Sequence, residues 1–135
     1  MAIEKTYELG VLTQDDVVLV RQAVRTAAVD IGFNLIDQTK VVTAASELAR
    51  NTIVHGGGGM ARIETLRDGI KRGLRLVFED HGPGIQDIQL AMKDGYTSGT
   101  GLGLGLGGAK RLSSEFDIES SPGVGTRVTI TRWKV

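Results

Sequence analysis

The period of the apolar positions changes along the chain, and each change predicts an element. Ala2 to Leu9 alternates, with Ile3, Thr6, Tyr7 and Leu9, and reads as a first strand. Thr13 suits a helix N-cap, and Asp15 and Asp16 follow where the helix dipole favours acid. Val17, Val20, Val24, Ala27, Ala28 and Ile31 then recur at helical spacing, and Gly32 ends that helix. A second helix is predicted from about Leu35 or Asp37 to His55, with Val41, Ala44, Ala45, Leu48, Thr52 and Ile53 apolar and Gly56 stopping it. Met60 to Leu66 and Leu74 to Phe78 read as a hairpin joined through Asp68-Gly69 and Lys71-Arg72-Gly73. Ile85 to Lys93 reads as a short helix and Leu104 to Ser114 as a better one. Phe116 to Ser120 and Thr126 to Trp133 close the chain as a hairpin around Ser121-Pro122-Gly123. This order predicts an α+β two-layer sandwich: a mixed, mainly antiparallel sheet covered on one face by helices, in one domain over residues 1–135.

Composition narrows the function. The 135 residues are enough for one good core. Lys plus Arg and Asp plus Glu both number 16, so no net charge points to nucleic acid or an anionic membrane as partner. No apolar run reaches membrane-spanning length, no signal-peptide pattern opens the chain, and there is no cysteine, so a cytoplasmic protein is expected. Glycine is the unusual feature: 19 residues, where average usage predicts about nine or ten. They concentrate at Gly56 to Gly59 and Gly99 to Gly108, which argues for sites rather than low complexity.

Four stretches could carry chemistry. In "SELARN", Glu47 and Asn51 lie four residues apart and share a helix face. A carboxylate beside an amide can serve as a general base and hold a hydrated Mg²⁺, which takes only one or two protein oxygens; a solvated face with Arg50 between fits as well. In "EDHGPGI", Asp80 ends an apolar strand, and Gly82 and Gly84 bracket Pro83 in a tight turn. An acid there can accept a hydrogen bond from a ligand's amino group, or simply end a strand; His81 reads as a turn residue. In "GTGLGLGLGGAKRL", Gly103, Gly105 and Gly108 match the dinucleotide pattern, but a polar loop precedes them where that pattern needs a buried strand. Walker A also fails, because no Ser or Thr follows Lys110. What remains is a glycine loop that can converge amides on an anion at a helix N-terminus, its leucines anchored in the core. The fourth stretch, Gly125-Thr126, is by itself a hairpin turn.

The ordered set is more specific than its parts. "AASELARN", "FEDHGPGI", "DGYTSGTGLGLGLGGAKRLSSEF" and "ITRWKV" together resemble the GHKL, or Bergerat-fold, ATP-binding family shared by gyrase, Hsp90, histidine kinases and MutL. The resemblance spans essentially the whole chain, and it is greatest with the small bacterial serine kinases that switch anti-sigma pathways, stressosome kinases among them.

That resemblance implies ATP and Mg²⁺ as cofactors, and a role for each matching residue. Glu47 would be the catalytic base, and Asn51 would hold Mg²⁺ against the ATP phosphates. Asp80 would bind the adenine amino group, with Gly82 and Gly84 as the turn under the base and Thr126 completing the pocket. Residues 85–100 would form an ATP lid carrying Lys93, and Thr100, Gly101, Leu102, Gly103, Leu104 and Gly105 would surround the phosphates. The implied activity is phosphorylation of STAS-domain proteins that also sequester the kinase, with a PPM-type phosphatase activated on release. An anti-sigma factor kinase that binds a sigma factor directly, and a nucleotide-gated binding module with little transfer, share the same motifs. No coiled-coil segment carries a phosphoacceptor histidine, which disfavours a histidine kinase.

Overall fold

A computed structural model of the chain describes residues 1–92 and 106–134. The elements run β1 (Ala2–Val11), α1 (Gln14–Asp30), α2 (Leu35–Val54), β2 (Gly59–Asp68), β3 (Lys71–Asp80), α3 (Ile88–Ala91), α4 (Leu106–Arg111), β4 (Glu115–Ser121) and β5 (Gly125–Trp133). The strands form one five-stranded sheet in the order β1-β2-β3-β5-β4. All four pairings are antiparallel, within the mixed, mainly antiparallel sheet that the sequence predicts.

The apolar stripe of α1 lands as spaced: Val17, Val20, Val24, Ala27 and Ala28 are buried, with Ile31 just beyond the helix. The α2 stripe buries Val41, Ala44, Ala45, Leu48 and Thr52, and its alanines let the backbone of α2 come close to its neighbours. Both stripes face Ala61, Ile63, Leu74, Leu76, Phe78, Val128 and Ile130, which alternate along β2, β3 and β5. These seven buried side chains contribute on the order of 10–20 kcal/mol before chain entropy is charged against them. The opposite sheet face carries ion pairs instead, such as Arg75 Nε to Glu64 Oε1 at 2.6 Å. No helix among the described residues is long and apolar enough to cross a membrane.

Several boundaries differ from expectation, each for a local reason. The β2–β3 hairpin turns at Gly69-Ile70, so Lys71-Arg72-Gly73 belongs to the strand rather than the turn. Gly69 has φ +64°, the first central position of a two-residue turn that favours glycine there. Gly73 is a glycine because the Trp133 ring lies on it: a Cβ would stand 2.9 Å from ring atom Cζ3. The short helix expected from Ile85 is confined to Ile88–Ala91, because the Ile85 amide donates to Ser120 Oγ at 2.8 Å. α4 stops at Arg111, where Ser113 Oγ donates back to the Ala109 carbonyl at 2.6 Å and the chain turns into β4. α2 starts at Leu35 with Asn34 as cap, its Oδ1 accepting the Asp37 amide at 2.8 Å. Asp37 then accepts Arg132 Nη2 at 2.7 Å, pinning the start of α2 to the end of β5.

At the start of α1, Asp16 Oδ2 accepts the amides of Leu12 at 2.9 Å and Thr13 at 3.1 Å. The Leu12 bond first, then the Thr13 bond, holds the Asp16 carboxyl below its ordinary pKa. A folded pKa lowered in this way gives stability that is present above about pH 4 and is lost as pH falls through the folded value. Asp16→Ala should therefore melt lower than the parent at neutral pH, with the gap closing toward about pH 3. Calorimetry across that range checks this; a gap that does not change with pH contradicts it.

Candidate functional site

The site forms where α2, the end of β3 and the start of β5 meet. Asp80 closes β3 and pairs with Thr126 of β5, and both side chains are buried. Glycine backbones crowd the acid. A Cβ on Gly56 would fall inside contact distance of the Asp80 carboxyl carbon, and one on Gly82 would stand 2.7 Å from Gly56 Cα. Gly125, at φ +142°, passes against the Asp80 carbonyl, where a Cβ would also stand 2.9 Å from His81 Cα. Asp80 Oδ1 accepts the Gly82 amide at 2.9 Å, leaving Oδ2 without a donor among the described residues. A carboxylate oxygen without a protein donor suits a ligand N–H donor.

Glu47, Asn51 and His55 follow at four-residue intervals along α2 and share one side of it. Glu47 is half-exposed, and its Oε1 accepts Arg50 Nη1 at 2.8 Å. That pair is solvated, so it contributes little to stability and leaves the carboxylate free to exchange partners. Asn51 is 8% exposed, and its Oδ1 is buried with no hydrogen-bond partner among the described residues. An amide oxygen left in this way loses its hydration without replacement, a penalty of about 1–3 kcal/mol. A hard cation that keeps its own waters fits such a lone oxygen.

The turn from Asp80 to Ile85 is tied on three sides. His55 Nε2 lies 3.1 Å from the Gly84 carbonyl. The Gly123 amide donates to the Pro83 carbonyl at 2.8 Å. Ser120 Oγ accepts the Ile85 amide, lies 2.8 Å from Thr126 Oγ1 and donates to the Gly125 carbonyl at 3.1 Å. Gly84, at φ +75°, packs on the Ser121 carbonyl. The structure thus gathers Asp80, Gly82, Gly84 and Thr126 in one place, with Glu47 and Asn51 on the adjoining helix. Lys93, Thr100, Gly101, Leu102, Gly103, Leu104 and Gly105 lie outside the described residues.

Sequence reasoning put His55 in the region of the site but gave it no partner, although it continues the Glu47-Asn51 spacing by one more turn, and it missed Gly56 and Ser120. Gly56 reads as a helix stop, and Ser120 as the last residue of a strand; neither carries a local signal of its distant partner.

Comparison with known proteins places the chain in a family. The model of the histidine kinase-, DNA gyrase B- and HSP90-like ATPases matches residues 36–135. The chain is 44% identical over 123 residues, 91% of its length and 92% of the relative's, to the serine/threonine-protein kinase RsbT of Bacillus subtilis. It is 35% identical over 102 residues, 73% of its length and 72% of the relative's, to an anti-sigma F factor of Clostridium kluyveri. Among solved structures it superposes on the RsbU and RsbW domains of a Mycobacterium tuberculosis protein with a TM-score of 0.67 and 23% identity, over 96% of this chain and 32% of that one. The catalytic domain of histidine kinase ThkA superposes with a TM-score of 0.55 and 16% identity, over 97% of both chains. The chain belongs to the histidine kinase-, DNA gyrase B- and HSP90-like ATPase family, whose fold it has. ATP use follows, and the enzyme class expected from the sequence, a protein serine/threonine kinase, stands.

Gly56→Ala tests the crowding around Asp80. The added methyl must displace the carboxyl or the α2 terminus, an overpacking penalty of about 1–3 kcal/mol. The variant should melt lower, and its Gly82 amide should exchange faster as the bond to Asp80 Oδ1 opens. Parent-like exchange at Gly82 would mean that the site relaxes without moving the acid.

Proposed function

We propose that the chain transfers the γ-phosphoryl group of ATP to a serine or threonine hydroxyl on a STAS-domain partner. That partner also sequesters it, and the released kinase activates a PPM-type phosphatase. The single observation that carries the site assignment is the buried, unpartnered Oδ1 of Asn51, one helical turn from the Glu47 carboxylate. The 44% identity with the serine/threonine-protein kinase RsbT supports a serine or threonine acceptor.

Each residue has a physical task. Asp80 Oδ2 accepts the adenine amino group, Thr126 completes that pocket, and Gly82 and Gly84 let the turn pass under the base. Lys93, Thr100 and the Gly101–Gly105 stretch serve the phosphates, and residues 85–100 act as the lid. Asn51 Oδ1 is the protein oxygen that would hold Mg²⁺, which when bound neutralises triphosphate charge. Glu47 takes the acceptor proton as the hydroxyl oxygen bonds to the γ-phosphorus. The bond from that phosphorus to the bridging oxygen breaks, and ADP departs with the electron pair. Orientation and charge neutralisation supply most of the acceleration in such transfers, so a half-exposed carboxylate is adequate for a slow switch.

Asp80→Asn replaces an acceptor by a group that also donates. Loss of one hydrogen bond to a charged group, roughly 1.5–3 kcal/mol, should weaken ADP on the order of tenfold to a hundredfold. Unchanged ADP affinity by calorimetry removes the adenine assignment.

Glu47→Ala should bind ATP and the STAS partner as the parent does, yet transfer phosphate about a hundredfold to ten-thousandfold more slowly. A labelled-phosphate assay beside a pull-down separates the steps. Transfer at the parent rate excludes the base role, and loss of ATP binding makes the residue structural.

A further inference from the structure

The Gly84 carbonyl and the Ile85 amide are the two ends of one peptide group. The first receives His55 Nε2 at 3.1 Å, from the end of α2. The second donates to Ser120 Oγ at 2.8 Å, from β4. Two side chains from opposite sides of the site therefore hold a single peptide plane. Ser120 passes the constraint on, since its Oγ also meets Thr126 Oγ1 at 2.8 Å. His55 passes it the other way, since it stands on the same side of α2 as Asn51 and Glu47.

The conformation held in this way needs holding. Gly84 is at φ +75°, and glycine reaches several other regions as easily, so nothing in its own backbone selects this one. A free peptide between Gly84 and Ile85 can rotate as a unit, which would turn its carbonyl away from His55 and shift the chain that follows. The hydroxyl of Ser120 is fully used: it donates to the Gly125 carbonyl, which directs its lone pairs at Ile85 and Thr126. The imidazole must carry its proton on Nε2, and a charged ring also has one there, so the clamp tolerates either protonation state.

We propose that His55 and Ser120 are positioning residues for nucleotide binding, which act together by clamping the peptide between Gly84 and Ile85. Neither touches the ligand in this scheme. They fix the turn that Asp80 begins, and through Thr126 they fix the opposite wall. The inference rests on the reading of this place as the adenine site, and it adds residues that act through the backbone.

ADP is the probe, titrated by calorimetry into the parent, His55→Leu, Ser120→Ala, the double variant, His55→Gln and Asp80→Asn. A neutral hydrogen bond that orders the turn should be worth about threefold to tenfold in affinity. Each single variant should weaken ADP by that amount. The double variant should be no weaker than about the worse single, because both act on one peptide. His55→Gln, which keeps an N–H donor, should recover most of the loss. In nitrogen–proton correlation spectra the Ile85 amide should move in His55→Leu, because it belongs to the peptide whose carbonyl His55 holds. Circular dichroism and melting curves separate these effects from failure to fold: ADP losses that simply track lost folded fraction overturn the proposal. If Asp80→Asn loses ADP while both singles bind as the parent does, the clamp is wrong and the site reading survives. If the singles are additive, the shared peptide is wrong. If the parent or Asp80→Asn shows that ADP does not depend on this place, the site reading fails and the clamp falls with it.

Discussion

The fold is organised around a steric constraint: a buried carboxyl at a strand end with main chain packed against it on several sides. A carboxyl can be buried only where neighbouring dipoles take the place of water, and backbone can approach closely only where there is no Cβ. Gly56, just past α2, lies against the carboxyl itself; Gly82, in the turn after β3, lies against Gly56; and Gly125, at the start of β5, lies against the Asp80 carbonyl. Each segment has its own reason to lie there, since α2 is fixed by its apolar stripe and β5 by pairing with β3.

The second helix divides its work by face. One side supplies Val41, Ala44, Ala45 and Leu48 to the core, where packing is unforgiving and the rotation of the helix is set. The rotation that buries those residues also sets the direction of Glu47, Asn51 and His55. Asn51 is the residue at the border, buried like the core and unsatisfied like a site. Its position therefore depends on hydrophobic burial several residues away. The Arg132–Asp37 pair adds a polar tether at the far end of the same helix.

Periodicity made the helices and the sheet legible. The α1 stripe needed no revision because one residue in three or four is apolar and the rest are not. The strand boundaries were harder. Lys71, Arg72 and Gly73 carry turn composition, and only the Trp133 ring sixty residues on explains why a glycine belongs in that strand. The ordered Glu47-Asn51, Asp80-Gly82-Gly84 and glycine-loop motifs marked the site region through resemblance, whereas His55 and Ser120 were invisible as a pair. Their common partner is a backbone group, which every residue has, so no residue type at 84 or 85 announces the contact. Side chain to main chain bonds between distant segments leave no spacing to read.

The two strands that bring Asp80 and Thr126 side by side are far apart in the chain, with the glycine loop and α4 between them. During synthesis the chain emerges from its amino end, so α1, α2 and the local β2–β3 hairpin can form while Asp80 still lacks its wall. The β3–β5 pairing closes the sheet last, and it also brings Gly125 and Ser120 to the acid. A chain that has emerged only as far as β3 thus carries the α2 face without the wall that β5 supplies.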